Sequence, residues 1–374
     1  MRYVLVVLLF VLGLILCSVA WVQTEPSASY DQGEFLKARV LEVVKSTSSS
    51  QGDITEFIQD TQQVTVEILD EPFKGDVLTV THANTGHLAY DIVLEKGDKV
   101  LLWGEIEGNT LVNAYITDYV RDDYLIYLVI AFVLMLVLLG GLRGIKSVIS
   151  LGITGAAIAF VLLPMLLKGF SPIPTTVLVS AAVSTVTFVI IGGPTKKTLA
   201  AIIGTTGGVV VAGVLALLVG NAAHLTGFSE EEAMMLMYIP QNISFDFKGL
   251  LFAGIIIGAL GAVMDVGMSI ASAMDEIKKV NPSLGLLRLI GAGMNVGRDI
   301  MGTMANTLIL AYTGAAIPLM LLFMAYETPL VKVINLDMIA TEVVRAMAGS
   351  IGLIVAIPIT AVVAGFLLKA PYNH

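Results

Sequence analysis

Three charged side chains lie inside apolar runs between residues 254 and 322, where a membrane interior would surround them with hydrocarbon. They are Asp265, Arg298 and Asp299. An ionisable group at this depth is costly unless it faces water, a partner or the interior of a helix bundle. Such residues are typical of a pathway for an ion or a solute, so the helices that carry them must hold them away from lipid.

Helical periodicity groups these charges with other polar and small residues. Positions three or four apart share one face of an α-helix, and the first run has such a face at Gly254, Gly258, Gly261, Asp265, Ser269 and Ser272. The second run has one at Asn295, Asp299, Gly302, Asn306 and Thr313. We predict that the two faces meet around one polar cavity. The candidate pathway residues are Asp265, Ser269, Asn295, Arg298, Asp299 and Asn306, and the predicted helix-packing residues are Gly254, Gly258, Gly261 and Gly302.

This region resembles the signature of a known family. The sequence reads GAVMDVGMSIASAMDEI from Gly261 to Ile277, then Asn281-Pro282, then GMNVGRDIMGTMANTLILAY from Gly293 to Tyr312. These segments, and the layout of the remaining chain, resemble the YibE/F family of bacterial multi-pass membrane proteins. The resemblance implies a location in a bacterial membrane, and it implies no activity, substrate or catalytic residue.

The composition is that of an integral membrane protein. Of the 374 residues, 56% are hydrophobic and 14% are charged, whereas soluble proteins average about 45–50% and 25%. Residues 23–123 contain 19 Asp and Glu against 7 Lys and Arg, a net charge of −12, while the whole chain carries −9. This acidity argues against a nucleic-acid partner, and the single cysteine, Cys17, excludes an intrachain disulfide.

The chain divides into three predicted regions. Residues 1–22 are predicted to be an N-terminal signal anchor or transmembrane helix, although Ser18-Val19-Ala20 also resembles a cleavage site. Residues 23–123 contain short β-branched runs separated by turns, which predict an extracytoplasmic all-β domain of five or six strands, OB-like or another small barrel. Residues 124–374 are predicted to be a polytopic α-helical membrane domain with its signature helices at 249–325.

Seven apolar runs and the anchor together predict about eight transmembrane helices. The runs are Leu125–Leu142, Val148–Leu167, Thr175–Ile191, Leu199–Val219, Gly249–Ala273, Ile300–Met324 and Met347–Leu368. The Gly-rich segment from Ser283 to Gly297 is too short to span and predicts a re-entrant or broken element. The acidic segment that begins at Ser229 predicts a capped interfacial helix, either a lid or a packing helix.

The sequence contains no motif of a soluble-type active site: it has no P-loop, no HExxH, no GxSxG and no dinucleotide fingerprint. His82, His87 and Asp91 have side chains that bind metals. Two histidines without a clear third ligand are typical of a solvated loop, so we predict neither a metal nor a cofactor.

Three classes of function fit these residues. The first is a transporter or channel for an unidentified ion or small solute, and the second is an envelope scaffold or sensor, in which the β-domain binds a partner and the helices transmit a signal or only anchor. In a purely structural role of the charges, Asp265 pairs with Arg298 and Asp299 caps a helix. The third is an intramembrane aspartyl protease, but NVGRD and AVMDV depart from the GxGD and YD motifs. We therefore predict a protein that is not an enzyme. Its predicted partners are the lipid bilayer, the solute, and a second copy or another membrane protein.

The basic residues predict the orientation, because cytoplasmic loops of membrane proteins are enriched in Lys and Arg. With Arg2 in the cytoplasm, eight spans put both termini there and the β-domain outside. The basic residues assigned to the cytoplasmic side are Arg143, Lys146, Lys196, Lys197, Lys278, Lys279, Arg288 and Lys369.

We therefore expect reporter fusions placed after Lys197 and after Gly227 to lie on opposite sides of the membrane. An alkaline phosphatase fusion, active outside, and a fluorescent protein fusion, active inside, measure this. Reports from the same side at both positions would contradict the topology.

Overall fold

The computed structural model describes residues 33–46, 60–84, 91–108, 110–238 and 245–369. These residues divide into two compact units, a sheet unit up to residue 135 and a helical unit from residue 136. The predicted anchor at residues 1–22 and the residue His87 lie outside the described residues.

The sheet unit contains one antiparallel sheet with the strand order β3-β2-β1-β4-β5. Its strands are β1 (Gly33–Ser46), β2 (Asp60–Ile68), β3 (Val77–Asn84), β4 (Lys99–Glu107) and β5 (Thr110–Tyr119). The first half of β1 pairs with β4 and its second half pairs with β2. Register shifts in the ladders, as between Val40 and Glu42, increase the strand twist. The two edge strands contact each other, so the sheet is curled.

Alternate residues of the strands form the core of this sheet. Leu36 and Ala38 on β1 and Val64 on β2 are buried, as the alternation of apolar and polar residues predicts. YDIVL, the fourth of the six β-branched runs from which five or six strands are predicted, forms no strand over its described residues 91–94. Its side chains Ile92 and Leu94 are nevertheless buried in the same core, because an extended segment can cover a core without joining the ladder.

The rest of the described chain is helical. Its helices are α1 (Asp122–Ala157), α2 (Leu163–Leu167), α3 (Pro172–Gly192), α4 (Lys196–Ala222), α5 (Glu231–Met235), α6 (Phe247–Val280), α7 (Leu286–Ala315), α8 (Ile317–Ala325), α9 (Leu330–Ile334) and α10 (Asp337–Leu368). A π-helical segment, Ile158–Leu162, joins α1 to α2, and a 3-10 turn, Leu236–Tyr238, follows α5.

Five helical runs of the described chain are long and apolar enough to cross a membrane. They are the continuous run Asp122–Leu167 and the helices α3, α4, α6 and α10. The pair of α7 and α8, bent by 58°, makes a sixth if it counts as one span. The first run contains two of the predicted spans, and Gly141 interrupts it with φ 55° and ψ −133°. The described chain thus has five or six candidate spans, and the total of eight stays a prediction.

The predicted re-entrant element at Ser283–Gly297 is wrong, because most of this segment is the beginning of the continuous helix α7. Gly293 and Gly297 are buried against neighbouring helices, so these glycines serve close packing instead of breaking the helix. The break comes later, at Ala316, and Pro318 follows in the first turn of α8. Proline is tolerated there because the first turn of a helix needs no donor from it.

Small residues bring α4 and α10 into close contact at the centre of the helical unit. Gly204 on α4 faces Thr360 on α10, and Gly208 faces the carbonyl of Gly352. A Cβ added at Gly208 would lie 2.7 Å from that oxygen and 2.8 Å from the Cβ of Ala356. Close backbone approach of this kind drives association of helices in membranes, where the hydrophobic effect does not.

We expect Gly208→Leu to lower the melting temperature of the detergent-solubilised protein by about 5 °C or more, since overpacking costs about 1–3 kcal/mol. Gly152→Leu on α1 is the matched control, because a Cβ at Gly152 meets no atom within 4 Å. Equal melting temperatures for the two variants, measured by intrinsic fluorescence, would show that this contact does not limit stability.

Candidate functional site

One stripe of α6 is exposed, although the other residues of this helix between 249 and 275 are buried or half-buried. The exposed residues are Gly254, Gly258, Gly261, Asp265 and Ser269, and they follow one another at intervals of three or four. Other faces of the helix pack against α3, α4, α7 and α10. At 1.5 Å per residue the stripe is about 22 Å long, which is most of the roughly 30 Å thickness of a hydrocarbon core.

The glycines make this stripe a groove. A Cβ added at Gly254 or Gly261 would meet no atom within 4 Å, whereas one at Gly258 would meet the hydroxyl of Tyr312 on α7. Gly302 on α7 also has no neighbour within that distance. Within the described part of one chain, only Gly258 of the four predicted packing residues therefore touches another helix. A packing role for the other three stays a prediction that requires a neighbour outside the chain.

The helix α7 packs through a narrow face and exposes its polar residues on the opposite side. Its buried residues are Leu289, Gly293, Gly297 and Leu308. Its predicted pathway residues and Gly302 are all exposed: Asn295, Arg298, Asp299, Gly302 and Asn306. An α-helix turns by about 100° per residue, so the line through Asn295, Gly302 and Asn306 lies opposite the packed face.

The two polar stripes do not face each other within one chain, which differs from the predicted arrangement. The helices α6 and α7 meet at Gly297 against Ile270 and at Gly293 against Met274. The same two glycines also face Ile357 and Ala361 on α10, so this side of α7 is packed against both α6 and α10. The polar face of α7 is consequently directed away from α6.

The contacts between α6 and α7 nevertheless place the carboxylates of Asp265 and Asp299 at a similar depth. The two helices run antiparallel with Ile270 beside Gly297. Continuing this register places Gly302 level with Asp265, and Asp299 lies within one helical turn of that level. The predicted site residues therefore share a layer of the helical unit but belong to two separate exposed faces.

Neither Asp265 nor Asp299 has an ion-pair or hydrogen-bond partner for its carboxylate among the residues that the structure describes. The alternative Asp265 to Arg298 ion pair is not formed, because the guanidinium of Arg298 donates to Asn295 Oδ1 at 3.1 Å. Asp299 lies well inside α7 and does not cap a helix. Exposed charges in the middle of apolar helices require water, a cation or a polar partner from outside the chain.

A cluster around Arg345, which the sequence did not reveal, lies at the Gly254 end of the groove. The Arg345 guanidinium pairs with Glu230 at 2.5 Å and with Glu342 at 3.0 Å, and it lies 5.9 Å from the centre of the Tyr312 ring. A cavity of about 270 Å³ is lined by Arg345, Glu230, Gly254 and several apolar residues. Only the tertiary fold brings Glu230 to Arg345, so helical periodicity could not detect this cluster.

The segment before α5 is fastened to the start of α10. The hydroxyl of Thr226 donates to Asp337 at 2.6 Å, and the hydroxyls of Ser229 and Thr341 are 3.1 Å apart. Ser229 does not cap α5, which has no side-chain cap, so the predicted cap is wrong. Together with the ion pair of Glu230, these contacts hold the short helix α5 over the cavity.

No group of three or more His, Cys, Asp or Glu side chains that could hold a metal ion occurs in the described ranges of the chain. His82 lies on β3, and Asp91 follows in the segment that forms no strand.

Two family profiles match the chain. The profile described as YibE/F-like protein matches residues 128–370, and the profile described as YibE/F family N-terminal domain matches residues 34–119. Together they cover most of the chain, and the first includes both polar stripes. No curated protein and no solved structure matched the chain.

Loss of the Glu230 to Arg345 ion pair should open the cavity to solvent. We expect Glu230→Gln to raise the rate at which a water-soluble thiosulfonate labels Leu251→Cys in a Cys17→Ser background. The expected factor is about two to five, since an exposed ion pair contributes up to about 1 kcal/mol. The neighbouring change Glu231→Gln is the control. If both variants label at the parental rate, the ion pair does not hold the cavity closed.

Proposed function

Since the chain belongs to the YibE/F family, we propose that it is a multi-pass membrane protein that moves an ion or small solute along the groove of α6. The observation that carries this proposal is Asp265, an exposed carboxylate without a partner in the described chain, in the middle of an apolar helix. A position of this kind is a functional site by default, because hydrocarbon cannot solvate it.

The apolar surface supports a location in the bilayer. Leu138, Leu139 and Leu142 on α1 are 79–84% exposed, and many other large apolar side chains of the helices are exposed as well. A surface of this extent is stable against lipid and would aggregate in water. We place the helices in the bacterial plasma membrane with eight spans and both termini in the cytoplasm, as the basic residues predict.

The groove offers a route from the cavity to Asp265, with the hydroxyl of Tyr312 beside it at Gly258. Gly254 lines the cavity and also begins the exposed stripe, so the two are joined. Asp265 lies about 16 Å further along the helix, close to half the thickness of a hydrocarbon core. Ser269 follows one turn later and supplies a hydroxyl. Gly254 and Gly261 leave room for a solute beside the helix backbone, and the hydroxyl of Tyr312 lies against Gly258 between them.

The charges favour a cation or a proton as the transported species. Glu230, Glu232 and Arg345 line the cavity, and Arg345 pairs with Glu230 and with Glu342. A site with more carboxylates than cations raises the local concentration of positive ions. A carboxylate such as Asp265 can then bind the ion or carry the proton at mid-membrane. The proposal requires no cofactor.

We further propose that the sheet unit is an OB-like barrel on the outer side of the membrane. The strand order and the contact between the edge strands β3 and β5 support this, since the OB-fold is a five-stranded, partly open barrel. An acidic barrel outside the membrane would attract the same positive ions that the cavity favours.

The chain is proposed not to be an enzyme. A diaspartyl protease needs two carboxylates that share one proton, but the stripes of Asp265 and Asp299 are directed away from each other. An envelope scaffold or sensor is the remaining alternative, and flux measurements separate it from a transporter.

We expect Asp265→Asn to fold normally and to abolish flux, because the amide keeps the volume of the carboxylate but cannot carry a proton or bind a cation strongly. The assay uses purified protein in liposomes with a panel of monovalent cations, protons and small solutes. Glu276→Gln, an exposed acid near the end of the same helix, is the control with an equal loss of charge. Equal flux in the parent and Asp265→Asn for every solute that moves would show that the groove takes no part in transport. Absence of any protein-dependent flux would favour the scaffold.

A further inference from the structure

The polar face of α7 is not covered by any part of the described chain. Asn295, Arg298, Asp299 and Asn306 are exposed on the side opposite the packed residues of the helix. The helix lies in the layer of Asp265, where lipid is otherwise the neighbour. Two charges and two amides cannot be left in hydrocarbon, so something polar must cover this face.

The apolar run of the predicted anchor does not supply the cover. Residues 4–21, the one long apolar run outside the described residues, contain no charged side chain. Such a segment could not neutralise Arg298 and Asp299 or satisfy the two amides. The cover must carry both a positive and a negative charge at the same depth.

The polar face of α7 itself carries a positive and a negative charge at the same depth. At about 100° per residue, Arg298 and Asp299 lie on opposite sides of the line through Asn295, Gly302 and Asn306, each within roughly 60° of it. Two copies in the same membrane orientation are related by a two-fold axis along the membrane normal, so their α7 helices run parallel at equal depth. Arg298 of one copy then lies opposite Asp299 of the second, and the reverse pair forms on the other side of the axis.

We propose that the chain forms a two-fold symmetric homodimer through this face of α7. The two reciprocal ion pairs flank the axis, which leaves no net charge in the interface. The spacing of Asn295, Asp299, Gly302 and Asn306 is four, three and four, which is the heptad spacing of helices that pack along a common seam.

The residues on the axis suit this contact. Gly302 has no atom within 4 Å of an added Cβ, so the backbones of two α7 helices can approach closely there. Asn295 and Asn306 meet their equivalents, and amide pairs at such positions favour a parallel dimer in a single register. The seam also assigns Gly302 the helix-packing role that it lacks within one chain.

The dimer goes beyond the proposed transport and does not depend on it, because a protein that moves nothing could form the same interface. The groove of Asp265 lies on another helix face, so loss of flux and loss of the dimer are separate results.

Disulfide cross-linking tests the seam. In the full chain with Cys17→Ser, reconstituted in liposomes, Gly302→Cys should form a covalent dimer on oxidation, since a disulfide needs Cα atoms within about 7 Å. Ile354→Cys, 41% exposed on α10, is the control for random collision and should remain monomeric. Equal cross-linking at both positions, or none at Gly302→Cys, would overturn the proposal.

Charge exchange tests the ion pairs. Arg298→Asp places only carboxylates along the seam and should reduce the cross-linked fraction of Gly302→Cys about fivefold or more. The double variant Arg298→Asp with Asp299→Arg should restore it. Adjacent residues on a helix face different directions, so rescue cannot come from a pair within one chain. Undiminished cross-linking in Arg298→Asp, or no rescue in a folded double variant, would refute the reciprocal pairs. If either variant fails to fold, the cysteine comparison still decides.

Discussion

Hydrocarbon offers no partner for a hydrogen bond or a charge, and in the membrane location that we propose the arrangement of the helices depends on this constraint. Several hydroxyl groups satisfy it within the chain, although those of Thr176, Ser180, Ser350 and Thr360 are buried without a hydrogen-bond partner among the described residues. Ser184 donates to the carbonyl of Ser180 at 2.7 Å, and Ser150 donates to Thr187 at 2.8 Å. A serine or threonine can always turn to the carbonyl one helical turn back, but a carboxylate cannot. Asp265 and the charged face of α7 therefore need water, an ion or a polar partner from elsewhere.

Close packing elsewhere directs these polar faces outward. Gly208 and Gly352 bring α4 and α10 together, and Gly293 and Gly297 bring α7 onto its neighbours. Each of these contacts is made by small residues, which commits one face of a helix to the core. The opposite faces of α6 and α7 are then left for water, solute or a second copy. The glycines thus determine where the candidate site can lie, although they take no part in its chemistry.

The sequence predicted the stripes but not what they contact. Helical periodicity correctly placed Asp265 and the glycines of α6 on one face, since the period of an α-helix depends only on the backbone. The same pattern could not distinguish Gly204, which faces Thr360, from Gly254, which faces open space. Nor could it show that Gly297 packs instead of breaking α7. Contacts between helices depend on tertiary structure, and the pairing of Glu230 with Arg345 across 115 residues has no local signal at all.

The separation of the two polar faces has a mechanistic consequence. α7 contacts α6 through Ile270 and Met274, which lie well around the helix from Asp265, and its Tyr312 hydroxyl also reaches Gly258. In the proposed dimer, the seam on the far side of α7 adds no cover to the groove of α6, so each copy keeps its own proposed route from the cavity at Arg345 to Asp265. In this arrangement the charges of α7 fix the position of two copies in the membrane, while the unpaired carboxylate of α6 remains available to an ion. The polar residues at this depth can thus serve both proposed roles, because the helix packing places those of α7 on the dimer face and Asp265 in the groove of α6.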